Sequence, residues 1–313
     1  EAALAVKGVR QSMGASASAS RSLTYLAASN GFAGGYAETG YGVSAAVIAG
    51  EGADMQRDYD YDSQAHLADL CAPEEVGREA GERTVRRLNP HKPESMADAP
   101  VIFEQRLAGS LAGHLAAAVN GRAVARGGSF LKDKMGRRIM PDTVQVIDDP
   151  LMPRGHGSAP FDGEGLPTRR IDVVQDGALS AWLLDLATAR QLGMESNGCA
   201  ARGVGSPPSP SSSNFFIANG AATPQELIGS VKRGLLVTEL IGMGVNIVNG
   251  DYSRGASGFL IENGEITRPV SELTIAGNLA DMFRRFTPAN DLVFRGARAA
   301  PTLLIEGMTI AGR

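Results

Sequence analysis

The chain has 313 residues, a formal net charge of −4 and a pI near 5.7, and it is long enough for two ordinary domains that each bury a core. That balance lacks the basic excess that binding to a phosphate backbone requires, so DNA and RNA are disfavoured as direct partners. Cys71 and Cys199 are too few for a disulfide scaffold, suit a reducing compartment and read as small buried or loop thiols.

The chain opens at Glu1 without Met, inside an apolar-periodic segment, which leads us to expect a preceding N-terminal part. No secretory signal pattern opens it. Small or polar residues alternate with apolar ones between Ser16 and Ile48, and Asn30-Gly31 at the centre predicts a type I′ hairpin turn. A further strand is expected at Ser44–Ala49. Pro73-Glu-Glu opens a helix whose end suits Arg83, Arg86 and Arg87, and Asn89-Pro90 stops it. Residues 89–99 read as a linker.

Val101–Phe103 then reads as a strand and Glu104–Val119 as a helix, with Leu107, Leu111 and Leu115 on one face and Asn120-Gly121 as its stop. Gly113 and His114 interrupt its apolar run, which is too short to span a bilayer. Strands and turns follow, with a hairpin turn at Asp176-Gly177 and a short helix at Leu183–Leu192. Ser206–Ser213 reads as a Pro- and Ser-rich surface loop. Thr223-Pro-Gln-Glu226 is a capping box that predicts a helix over Leu227–Gly234. Glu262-Asn-Gly-Glu265 is another hairpin turn, followed by a helix near Asn278–Phe286 and a strand at Thr302–Glu306.

Few residues suggest chemistry. His114 projects near the apolar face of its helix and reads as a partly buried histidine or a catalytic one. His66, His91 and His156 have no metal-ligand spacing. Ser253 lies in Asp251-Tyr-Ser-Arg254 with no Gly-x-Ser-x-Gly elbow. Its candidate roles are catalysis together with His114, substrate or partner binding together with Asp251, Tyr252 and Arg254, or turn bonding of Asp251 and Ser253 to their own backbone. Asp148-Asp149 and Asp162-Gly-Glu164 offer a hard-cation site or solvated turns. Gly203-Val-Gly205 and Gly242-Met-Gly244 do not lead from a strand into a helix, so phosphate loops are rejected.

The run Gly244–Val270, with Ile275-Ala-Gly-Asn-Leu279, resembles the C-terminal signature of the TldD/PmbA family. Ser129–Gly136, Asp148-Asp-Pro150, Pro160–Gly165, Trp182–Asp185, Leu236–Leu240 and Ala300–Leu303 resemble family blocks in the same order, as do the earlier Gly14–Ser18 and Met55–Asp60. The resemblance implies a cytosolic zinc peptidase complex acting on unfolded or modified peptides, historically named a modulator of DNA gyrase. Its TldD-type subunits carry His-Glu-x-x-x-His on a helix. Here the corresponding helix reads Leu111-Ala-Gly-His-Leu-Ala-Ala-Ala-Val119, with Gly113 and Ala118 at the ligand positions and His114 at the Glu position, and no register recovers two histidines. Cys199 has no histidine partners as a third ligand.

The resemblance therefore implies the PmbA (TldE) branch, with no metal or cofactor in this chain and zinc in a TldD-type partner. A peptide is the implied substrate, no membrane is involved, and a homo-oligomer is one state left open for the chain when alone. The alternatives are a non-enzymatic peptide- or partner-binding protein and an independent hydrolase. The expected fold is α+β: a β-rich two-domain architecture with antiparallel sheets and a few packed helices. Residues 1–97 would be the remainder of an N-terminal α/β domain and residues 98–313 a β-rich C-terminal domain.

Overall fold

The computed structural model describes residues 1–313, the side chain of Ala53 excepted. Val9–Ala27 pairs antiparallel with Ala33–Ala49 along its whole length, and Gln56–Gln64 adds a third antiparallel strand on the far side. Val9–Ala27 is thus an edge strand, exposed almost throughout. The strand expected at Ser44–Ala49 is the end of the long Ala33–Ala49 strand. In Gln56–Gln64 the buried face carries Asp58, Asp60 and Asp62, the reverse of the usual polarity, so hydrophobic alternation does not reveal this strand.

The Asn30-Gly31 turn is a three-residue loop rather than a two-residue type I′ turn. Ala28 N–H donates to the Phe32 carbonyl at 2.9 Å, and Gly31 alone takes positive φ, at 91°. The Asp176-Gly177 and Asn263-Gly264 turns do place both central residues at positive φ, at 50° and 73°, and 54° and 82°. Helix Pro73–Arg86 has Glu74 and Glu75 in its first turn and Arg83 and Arg86 in its last, and it lies on Ala33–Ala49 and Gln56–Gln64.

Strands Glu265–Asn278, Asp251–Glu262, Arg233–Ile241, Met96–Phe103 and Leu303–Ala311 hydrogen-bond in that order. The last pairs back to the first, so the sheet closes into a small barrel. Only the Arg233–Ile241 and Met96–Phe103 pairing within it is parallel. Period-two alternation puts Val101, Phe103, Leu235 and Val237 in one large core, and Ile102 and Leu236 in a second core with Leu227 and Val231. Residues 89–99 are not a free linker: His91 N–H donates to the Pro269 carbonyl at 2.9 Å, and Met96 already begins a barrel strand. The helix after the capping box is shorter than expected, Pro224–Gly229, because the chain re-enters the barrel at Arg233.

A second sheet runs Arg298–Ala299, Phe215–Ile217, Val146–Asp148, Ile171–Gln175, Ala178–Leu179. Helix Gln105–Ala118 packs against it and against the barrel, burying Ala108, Leu111, Ala112, Leu115, Ala116 and Ala118. The fold is therefore α+β, β-rich, with mainly antiparallel sheets and a few packed helices.

A buried ion network joins the three-stranded sheet to the barrel. Asp58 accepts from Arg106 Nη1 at 3.1 Å and from Arg87 Nη1 at 3.3 Å. Arg87 also pairs with Glu239, Arg106 reaches Glu104 at 3.5 Å, and Arg83 pairs with Glu104. The Arg106 side chain is 2% exposed and that of Asp58 3%. Burial works against the Arg106 charge, but Glu104 and Asp58 more than offset it and hold its pKa above the ordinary guanidinium value.

Candidate functional site

Helix Gln105–Ala118 carries His114 toward the start of strand Asp251–Glu262. The imidazole meets the Tyr252 ring edge-on, with centroids 6.1 Å apart. Tyr252 is 1% exposed and also packs on Phe103 at 6.4 Å. His114 Nε2 and the Tyr252 hydroxyl are both buried without a hydrogen-bond partner. Burial, with the Arg254 charge adding to it, pushes the His114 pKa down, and burial pushes that of Tyr252 up, so both are held neutral at pH 7.

Alternation along the strand puts Tyr252 and Arg254 on the face of His114 and turns Ser253 to the other face, where it is exposed. The structure therefore does not bring His114 and Ser253 together as base and nucleophile. Nor do residues 251–254 form a turn: they open a strand, and the turn lies before them, where Gly250 takes φ 87°. Ser253 N–H donates to the Gly244 carbonyl at 2.7 Å, while the Asp251 carboxylate accepts from Asn249 Nδ2 at 2.7 Å and Asn278 Nδ2 at 3.3 Å. Asp251 thus stitches a loop to the neighbouring strand.

No second imidazole stands beside His114, and among the described residues no three His, Cys, Asp or Glu side chains could together hold a metal ion. Zinc takes three or four protein ligands, and this helix supplies one imidazole. Tyr252→Phe tests the local reading. Removing a buried hydroxyl that lacks a partner should leave stability unchanged or raise it by about 1 kcal/mol, read as the urea midpoint; a loss of stability would mean the hydroxyl is bonded.

The acidic pairs are not solvated turns throughout. Asp149 Oδ1 does cap its own turn, accepting Leu151 N–H at 2.9 Å. Asp148, however, is 2% exposed at the end of strand Val146–Asp148. Its Oδ1 accepts Ser213 N–H at 2.7 Å, its Oδ2 has no protein partner, and burial pushes its pKa up to about 6. Asp162 is buried and takes the N–H groups of Glu164, Leu166 and Ala200 at 2.9, 2.9 and 3.1 Å, so it organises its loop. Cys199 is buried and its thiol is pushed up to about 12, which makes it inert as a nucleophile.

Asp148, Asp162 and Cys199 line one groove of about 550 Å³, roofed by the tip of the long hairpin. The tip is fastened by Phe32 and Tyr36 on Phe161, with centroids 4.7 and 5.2 Å apart. Gly165, at φ 81°, leaves room for the Phe32 ring: a Cβ there would lie 2.5 Å from it. Sequence reasoning missed this groove, because its walls come from segments more than a hundred residues apart.

Comparison with known proteins matches residues 1–88 to the PmbA/TldA metallopeptidase central domain and residues 96–312 to the PmbA/TldA metallopeptidase C-terminal domain. The chain is 43% identical over 286 residues to the metalloprotease PmbA of Escherichia coli O157:H7, covering 91% of this chain and 61% of that protein. The crystal structure of a putative modulator of a DNA gyrase from Thermotoga maritima superposes with a TM-score of 0.91 at 28% identity, over 99% of this chain and 71% of that one. TldE from Thermococcus kodakarensis shares the fold, with a TM-score of 0.84 at 23% identity over 95% and 69% of the two chains. The chain spans about three fifths of the length of the curated relative.

Proposed function

The chain belongs to the PmbA/TldD metallopeptidase family, and from that premise we propose that it acts as a PmbA (TldE)-type subunit, pairing in the cytoplasm with a zinc-bearing TldD-type subunit to cleave unfolded or modified peptides. The observation that carries this reading is the helix Gln105–Ala118. Its one imidazole, His114, is turned against Tyr252, and no second ligand stands beside it. A peptidase centre would then lie in the partner, and this chain would complete the cleft. The free edge of Val9–Ala27 supports such a role, since an extended peptide can add to a strand edge through main-chain bonds largely independent of its sequence. No helix is long and apolar enough to cross a membrane.

Reconstitution tests the proposal. Elemental analysis of the purified protein should find zinc well below one per chain, and its mixture with a TldD-type subunit should hold about one zinc per pair and degrade an unfolded peptide in a chelator-sensitive way. Stoichiometric zinc, or chelator-resistant proteolysis, in the protein alone would overturn it.

A further inference from the structure

The groove beneath the hairpin tip has a composition that packing alone does not require. Its walls include Tyr25, Leu26, Tyr36, Phe161 and Val204, and its volume lies within the ordinary range for a small-molecule site. Into this largely apolar lining it sets Asp148, 2% exposed as a residue, with Oδ1 held by Ser213 N–H and Oδ2 free of protein hydrogen bonds and open to the groove. A nearly buried carboxylate with no ion-pair partner is stabilised when a counter-charge arrives. Arg202 also lines the groove, and among the described residues its guanidinium forms no ion pair.

We propose that this groove binds a short peptide as a zwitterion, the free amino-terminal ammonium on Asp148 Oδ2, the apolar side chains against Tyr25, Tyr36 and Phe161, and the terminal carboxylate on Arg202. An ammonium satisfies the open oxygen with a charge-assisted bond, and a planar guanidinium suits a carboxylate. The choice of a peptide over other amines rests on the peptidase-subunit reading; the ammonium does not.

Calorimetric titration of the intact protein alone tests this without any proteolysis, so failure here is separable from failure of the reconstitution. The probes are trileucine, its N-acetyl derivative, its C-terminal amide and n-hexylamine. Trileucine should bind at least tenfold more tightly than the acetylated peptide, and Asp148→Asn, which keeps an acceptor for Ser213 N–H, should erase that preference. Arg202→Gln, at an exposed position, should weaken trileucine but not its amide. Equal binding of free and acetylated peptide, unaltered affinity in Asp148→Asn, or no binding of either trileucine or hexylamine would overturn the site. Binding of hexylamine without trileucine would overturn the peptide assignment.

Discussion

Asp58→Ala should lower the unfolding free energy by about 3–5 kcal/mol, the range for removing one partner of a buried ion pair. The side chain receives Arg106 and Arg87 together, and the two guanidinium groups are themselves 2% and 7% exposed. Without the carboxylate, Arg106 keeps Glu104 at 3.5 Å and Arg87 keeps Glu239, but the charge between them is gone. The exposed pair Arg138–Asp142, at 3.3 Å with both side chains more than 60% exposed, supplies the contrast. Asp142→Ala should change stability by less than about 1 kcal/mol. Urea unfolding of the two variants checks both values, and near-equal effects would mean that the Asp58 network is hydrated. Because the network ties helix Pro73–Arg86 and strand Gln56–Gln64 to the barrel, loss of Asp58 should also separate the unfolding of residues 1–88 from that of the rest, visible as a broadened transition.

How much of this was legible in the sequence depended on where the information lay. Helices Pro73–Arg86 and Gln105–Ala118 and the Asp176-Gly177 and Asn263-Gly264 turns were legible because capping residues, an apolar face and positive-φ dipeptides are local signals. Strand Gln56–Gln64 was not, since its buried positions are aspartates, and the partners of Asp58 and Asp60, namely Arg87, Arg106 and Arg295, lie 29, 48 and 235 residues away. Barrel closure was equally hidden: it rests on Thr274 opposite Ala311, a register no local pattern specifies.

The candidate site divided in the same way. The resemblance placed the helix and the single histidine, whereas Tyr252, a candidate binding residue in the sequence, is a buried aromatic against His114. Asp251, a candidate contact residue, is occupied by Asn249 and Asn278. Asp148 was read as one half of an acidic pair, in a solvated turn or a hard-cation site, and only the strand end at Val146–Asp148 and the distant Ser213 reveal that it is buried. For Tyr252 and Asp148 the side chain's role is set by a partner far along the chain.

Asp148→Asn should stabilise the protein by up to about 3 kcal/mol at pH 7. Burial lifts the carboxyl from 3.8 to about 6 against the opposing pull of the Ser213 N–H and side chain, while Asp149 raises it further and Arg298, two strands away in the same sheet, lowers it. At 1.36 kcal/mol per pH unit the gap amounts to about 3 kcal/mol. The folded state holds the proton more tightly than the unfolded chain, so the wild type is least penalised below about pH 4, loses stability as the pH rises toward 6, and carries the full cost above it. Asparagine has no charge to bury, so its advantage should be absent at pH 3.5, open between pH 4 and 6 and stay level from pH 6.5 to 8. Denaturant unfolding of both proteins across that range measures it, and a difference independent of pH would mean that Asp148 titrates like an exposed carboxyl. The cost has a physical counterpart in the groove: the oxygen left open in the folded protein is the one a ligand's ammonium would meet, and such a ligand would recover at binding what folding gave up there.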